Sequence, residues 1–301
     1  MDTQTLRLFV LASERLNISA AGRELGMAPA VASTRIAKLE QLLGSELLHR
    51  STRKVSLSSE GQDFLPYARE IIAQEDAAFA ALGKGQTRIS GRLRFAAPST
   101  FAQIYIAPVL PQFMDAHPDL ILDLHLSDAQ FNLIEGSYDL ALRNSVLEDS
   151  SLTARKLADD KRILCASPAY LDRWGTPQAP ADLGAHRLIG FRDLEPVELV
   201  STGGLTAEFA PKRSAHRMAV NDGMTQMKTT LEGAGISINS LWLVHEEIAR
   251  GRLVQVLPDY EVANQPGLWL IYPKSNVVSA KVRVLIDFLT QHVGSRPVWL
   301  A

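Results

Sequence analysis

The sequence predicts an α/β protein with a helical head that carries a small β-wing. Two observations lead there. Over roughly the first ninety residues apolar side chains recur at helical spacing. Beyond a polar stretch at 83–91 that contains three glycines, short apolar runs alternate with helical segments, the pattern of an α/β domain with mostly parallel sheets. The composition permits this: 46 % of the 301 residues are hydrophobic and 21 % are charged, enough to bury more than one core and too ordered a mixture for a disordered chain.

In the head, Leu6, Phe9, Val10 and Ser13 fit one helix, which Asn17 is expected to end. A second helix is expected from about Ser19 to Leu25, and Gly26 breaks it. Pro29, in a first turn where its missing N–H costs little, opens a third helix to Leu43, closed by Gly44. Leu47, Leu48, Val55 and Leu57 around the polar tip Ser51-Thr52 suggest a β-wing. A long fourth helix starts at Ser58 or Ser59, where Ser59-Glu60-Gly61-Gln62 has capping-box spacing. Pro66 should bend it. The division expected is 1–58 for a winged helix-turn-helix, 59–90 for a linker helix and hinge, and 91–301 for the body. In the body, strands are expected at 93–97, 120–126, 138–142, 163–166, 188–191, 236–238 and 268–272, and helices at 103–117, 223–232 and 241–250.

The net charge is −2, but residues 1–60 hold eight Lys and Arg against six Asp and Glu, which is +2 and leaves −4 for the rest. A basic head on an acidic body suits an anionic partner for the head alone. The single cysteine, Cys165, excludes an intrachain disulfide and reads as a buried thiol. The start is polar and carries no secretory pattern, and no run of 18 apolar residues occurs. The expectation is therefore a cytoplasmic protein with no membrane partner.

On the third helix Ala32, Ile36, Leu39 and Leu43 form the inward stripe. The opposite face presents Ala30, Thr34, Ala37 and Gln41, with Ser33 and Lys38 on its flanks and Pro29 at its start; Lys38 lies one turn beyond Thr34. Small hydroxyl and methyl groups there would let a helix sit close in a DNA major groove, touching base edges and thymine methyls. Lys38 suits a phosphate. Arg50, Arg53 and Lys54 on the wing suit the backbone or minor groove, and a solvated charged loop is an equal reading of those three alone.

Leu6-Arg7-Leu8-Phe9, Ser19-Ala20-Ala21 with Leu25, Ala32-Ser33 with Ile36, Leu39-Glu40, Leu43-Gly44, and Leu47-Leu48-His49-Arg50-Ser51-Thr52-Arg53 with Leu57-Ser58 and Gly61 resemble the N-terminal pattern of LysR-type transcriptional regulators. Met27-Ala28 departs from it, standing where the family has a polar cap, and Thr34 stands where a larger polar residue is common. Leu65, Ile72 and Phe79 recur every seven residues, with Ala68, Glu75 and Leu82 between them. The resemblance implies that this helix dimerises, whereas packing on its own body is the other reading. It extends over 91 to about 293 in Gly91-Arg92-Leu93-Arg94, Tyr138 to Arg143, Cys165 to Leu171 and Gly251 to Val254. There it implies a two-lobe, periplasmic-binding-protein-like α/β effector domain, with lobe I at 91–161 and 268–301 and lobe II at 162–267.

Candidate effector residues are those at strand ends and helix starts. Ser99, Thr100 and Phe101 offer hydroxyls, N–H groups and an aromatic wall, and Asn221 and Gly223 precede a helix in the second lobe. Arg143 could pair with a carboxylate, and Asn239 ends another strand. Capping by Ser99 and Asn221 and an interlobe ion pair for Arg143 are the alternatives. A hydrolase using Ser99 with a histidine is disfavoured, since neither a Gly-x-Ser-x-Gly elbow nor an HExxH motif occurs, and no catalytic or metal-binding residue is assigned. The expected activity is promoter binding modulated by a small organic effector, an anion by these residues, with no other cofactor. Expected partners are double-stranded promoter DNA and further copies of the chain, as a dimer or dimer of dimers. RNA polymerase is a further candidate. The competing reading is a constitutive or architectural DNA binder whose body serves only assembly.

Overall fold

A computed structural model describes residues 1–50, 55–81, 89–128, 138–145, 152–192, 195–214, 217–273, 278–295 and 297–300. It forms two compact units, one built on Met1–Ile89 and the other on Ser90–Lys274 with Val284–Ala301.

In the first unit, Asp2 accepts the Thr5 N–H at 2.8 Å and caps α1 (Thr3–Arg15). Leu16, at φ 51°, ends α1. Asn17 does not end it: its side chain accepts the Ala20 N–H and starts α2 (Ile18–Glu24). The third helix, α3, spans Pro29–Leu43 and closes on Gly44 at φ 68°. The α2–α3 crossing depends on Gly22, because a Cβ there would lie 2.6 Å from the Ala32 Cβ. Ala32, Ile36 and Leu39 are buried with Leu6, Leu8, Phe9, Ile18 and Ala21. The expected inward stripe stops there, however. Leu43 is 37 % exposed, since it lies in the last turn, past the last buried side chain of α3.

The wing is β1 (Leu48–Arg50) antiparallel to β2 (Val55–Leu57). Glu40 of α3 braces it by accepting the Leu47 and Leu48 N–H groups at 3.0 and 3.1 Å. The fourth helix, α4 (Ser59–Ala81), runs unbroken through Pro66. Its cap is Ser58, whose hydroxyl accepts the Gly61 N–H at 2.9 Å, rather than the Ser59–Gln62 box. Gly61 lies against the wing, where a Cβ would meet the Leu47 carbonyl oxygen at 2.0 Å. Leu65, Ala68, Phe64 and Ile72 pack on the α1 core. Glu75 is bound by Arg7 and Thr3 of α1, at 3.3 and 2.6 Å. Part of the heptad stripe therefore serves the head itself, whereas Tyr67, Ile71 and Phe79 remain exposed.

The second unit holds two five-stranded sheets. The first comprises β3 (Gly91–Ala97), β4 (Leu120–Leu126), β5 (Leu140–Ser145), β6 (Leu152–Asp159) and, late in the chain, β15 (Gly267–Pro273), in the order β4-β3-β5-β15-β6. The second comprises β7 (Arg162–Ala166), β8 (Leu188–Phe191), β11 (Arg217–Val220), β12 (Ile236–Ser240) and β13 (Val254–Gln255), in the order β11-β8-β12-β7-β13. Between β8 and β11 come β9 (Val197–Ser201) and β10 (Thr206–Phe209), which with β14 (Tyr260–Val262) form a third sheet.

The sheets are mixed, not mostly parallel. β3, β4 and β5 run parallel, but β15 is antiparallel to both β5 and β6. In the second sheet β8, β11 and β12 run parallel and β7 opposes β12. The cause is topological. β6 leads out of the first lobe and β7 enters the second, and β15 makes the return, so the crossing strands must oppose their neighbours.

Helices lie between the strands at α5 (Ser99–Phe101), α6 (Leu110–Ala116), α7 (Pro168–Trp174), α8 (Gly223–Leu231) and α9 (Leu241–Ala249), and α10 (Ala280–Leu289) follows the last strand. The helix expected over 103–117 is a composite. A π turn at Ala102–Ile106 and a 3₁₀ turn at Ala107–Val109 separate α5 from α6, as Pro108 and Pro111 cannot donate to an α ladder.

Candidate functional site

The exposed face of α3 presents Pro29, Ala30, Thr34 and Lys38 to solvent, with Ser33 half-buried at its edge. Ala28, the residue before the helix, gives no side-chain cap, so first-turn N–H groups of α3 stay available to an outside acceptor. The Thr34 hydroxyl donates to the Ala30 carbonyl at 2.9 Å, which turns its lone pairs and methyl outward. Val31, which is 47 % exposed beside Ala30, adds an apolar contact that the sequence reading passed over. The Arg50 backbone lies in β1, and Arg53 and Lys54 lie outside the described residues.

In the second unit, the C-terminal ends of β3, β4, β8, β11 and β12 converge on the junction of the two lobes, where open α/β sheets bind ligands. Ser99 follows β3, Asp128 follows β4, Arg192 follows β8, Asp222 follows β11, and Leu241 follows β12. The Ser99 N–H and hydroxyl both donate to Asp128, at 3.0 and 2.5 Å. Asp222 accepts the Thr225 N–H and hydroxyl at 2.7 and 2.6 Å, capping α8, and its other oxygen takes the Thr100 hydroxyl at 3.4 Å. Each carboxyl lies close enough to perturb the other's titration. Arg192 donates to the Asp128 main-chain carbonyl.

This arrangement splits the two acids. Burial, aided by the facing Asp222, raises Asp128 above its ordinary 3.8 against the pull of Ser99. Burial also acts to raise Asp222. Hydrogen bonds from Thr225, Asp128 and Thr100 outweigh it and hold Asp222 below the ordinary value.

Among the expected effector residues, Ser99, Thr100 and Gly223 come together here; a Cβ on Gly223 would stand 3.6 Å from the Thr100 hydroxyl. The helix cap is Asp222, not Asn221, which is exposed. Phe101 is fully buried and turns into an aromatic cluster, edge-on to Trp242 at 5.1 Å and to Trp299 at 5.9 Å. Tyr105 completes that cluster and donates its hydroxyl to the Trp242 carbonyl at 2.6 Å. Arg143 is half-buried on β5, in register with Trp269. Asn239 is buried, and its amide donates to Ser237 at 2.6 Å and to the Cys165 sulfur at 3.4 Å. The sequence reading missed Asp128, Asp222, Arg192, Trp242 and Trp299. For Asp222 a signal existed, since Asp-Gly-Met-Thr is an N-cap spacing. Asp128 reaches Ser99 across 29 positions, and no local pattern marks that.

A family model described as "LysR substrate binding domain" matches residues 86–294, and one described as "Bacterial regulatory helix-turn-helix protein, lysR family" matches residues 3–62. The chain belongs to the LysR family of transcriptional regulators. It is 35 % identical to the HTH-type transcriptional regulator DmlR of Escherichia coli, covering 95 % of this chain and 93 % of that one. It is 32 % identical to the regulator CrgA of Neisseria meningitidis, over 98 % of both. The full-length structure of the virulence activator AphB of Vibrio cholerae matches with a TM-score of 0.60 at 28 % identity, covering 97 % of this chain and all of that one. This LysR-type regulator thus joins a DNA-binding head to a two-lobe effector-binding domain. Among the described residues no helix is long and apolar enough to cross a membrane.

Proposed function

We propose that this regulator answers a small organic carboxylate that binds where its two lobes meet. The observation that supports this is the Ser99 cradle. One N–H and one hydroxyl of a single residue are directed onto the two oxygens of a carboxylate, and the carboxylate they hold is the chain's own Asp128. An effector acid would take over those donors and displace Asp128, with Thr100 and Gly223 beside it. Displacement changes how the lobes are held, and an oligomer then shifts its heads on promoter DNA. The working form is a dimer or dimer of dimers in the cytoplasm, presenting Pro29, Ala30, Ser33 and Thr34 to base edges and Lys38, Arg50, Arg53 and Lys54 to phosphates. Exposed Tyr67, Ile71 and Phe79 on α4 supply apolar surface for pairing. The organic acid is the sole small-molecule requirement, with no further cofactor.

The test is calorimetric titration of a panel of small mono- and dicarboxylates into the full-length protein and into Ser99→Ala and Arg143→Ala. Ser99→Ala is expected to weaken the binding acid at least tenfold. Unchanged affinity in Ser99→Ala removes the cradle from the effector site. Gel shifts at one fixed salt concentration, with and without that acid, then read the coupling to DNA. A promoter affinity that no acid alters, together with no binding by calorimetry, favours the constitutive reading.

A further inference from the structure

Ser99 and Thr100 are consecutive, yet they hold carboxyls from opposite lobes: Ser99 holds Asp128 after β4, and Thr100 holds Asp222 after β11. The two carboxyls are thereby held on neighbouring hydroxyls of one turn, where each perturbs the other. Two ionised carboxylates in contact repel, whereas one proton between them makes a charge-assisted hydrogen bond. We propose that Asp128 and Asp222 form a one-proton latch between the lobes, so that lobe pairing in this regulator loosens as pH rises. The latch is a property of the ligand-free chain, and its test does not depend on which acid binds in the cleft.

The surroundings decide which acid carries the proton. Asp222 accepts from two groups of Thr225 and from Thr100, all donors, and so keeps its charge. Asp128 gains only the two Ser99 donors against heavier burial, and so takes the proton. Among the described residues that bond the pair, α5 gives the Ser99 N–H and the Ser99 and Thr100 hydroxyls, and α8 gives Thr225. From the end of β8 comes the Arg192 guanidinium, which is engaged with the Asp128 main-chain carbonyl. No base among the described residues bonds either carboxyl directly, so the proton has no cationic substitute among them.

The sign follows from linkage. Asp128, raised by burial and by Asp222, contributes stability that is present below its unfolded value and lost as pH rises through its folded one. Asp222, held down by its donors against burial, contributes stability that is present above its unfolded value and lost as pH falls through its folded one. The pair is strongest between the two.

The experiment is a pH titration of aspartate carboxyl carbons by ¹³C NMR on the full-length protein, beside thermal melting across the same pH range. In the wild type, Asp128 is expected to titrate above 3.8 and Asp222 below it. Asp222→Asn keeps the α8 cap, because Asn caps as well as Asp, and it supplies a fixed N–H donor to Asp128. In that variant Asp128 should titrate at lower pH, and the fall in melting temperature with rising pH over the Asp128 titration should shrink. Asp128→Asn, which keeps an acceptor for the Ser99 N–H, should abolish the same limb. An Asp128 titration unmoved in Asp222→Asn, or a limb that keeps its full size there, overturns the latch and leaves burial alone as the cause.

Discussion

Ser33 and Thr34 carry the hydroxyls of the α3 reading face, with the Lys38 ammonium one turn on. Thr34 already spends its proton on the Ala30 carbonyl, so it meets DNA as an acceptor with a methyl group. The double variant Ser33→Ala, Thr34→Ala is expected to relax discrimination by about 1–3 kcal/mol per base pair contacted. Competition binding against single-base operator variants checks it. Lys38→Ala should instead weaken all sequences alike and lower the salt slope by about one. A shift in sequence preference in Lys38→Ala would contradict this division of roles. Cys165 is the other residue with a definite forecast. It is fully buried on β7, and burial pushes its thiol up to about 11 against the Asn239 and Ser237 hydrogen bonds. A thiol reagent at pH 8 is expected to label the native protein hardly at all and the unfolded protein fully.

Two short contacts decide how the elements of the head meet. Gly22 permits the α2–α3 crossing, and Gly22→Val is expected to destabilise the head by about 1–3 kcal/mol, because the Ala32 Cβ cannot retreat from a buried helix face. Glu40 joins the reading helix to the wing through the Leu47 and Leu48 N–H groups. Glu40→Ala leaves both donors without that acceptor. It should cost about 1–3 kcal/mol in urea melts and lower promoter affinity at fixed salt as well, since the wing loses its reference to α3. A change in stability with promoter affinity intact would mean that the wing is placed by its strand pairing alone.

At the scale of the body, the two lobes are joined by more than the Asp128–Asp222 contact. The crossing segment holds Asp160, which is fully buried and bonded to the Arg162 Nε at 3.0 Å and the Ser240 hydroxyl at 3.1 Å. The Leu241 N–H donates to the Lys161 carbonyl at 2.7 Å across the same crossing. Beside it, Phe101 and Tyr105 of the first lobe interlock with Trp242 of the second and with Trp299 near the chain's end. Trp299→Ala is expected to cost about 3–5 kcal/mol, as for other buried tryptophans. Tyr105→Phe should cost about 1 kcal/mol, mainly the bond to the Trp242 carbonyl. Denaturant unfolding followed by tryptophan emission measures both.

The helical head and the order of elements were legible along the chain, because helix periodicity, Pro29, Gly44 and the turn at Gly26 act over a few residues. The strand runs at 120–126 and 188–191 were equally plain from local apolar character. Ser99, Thr100 and Gly223 were found as helix-start residues, though not for the carboxyls they meet. What only the folded chain decided is long-range: the opposed crossing strands, the use of Leu65 and Glu75 on the head, the burial of Phe101, and the pairing of Asp128 with Asp222. A hydrogen bond such as that from Thr100 to Asp222, 122 positions apart, leaves no period or spacing in a sequence. It exists because two sheets, each specified locally, end their strands at the same junction.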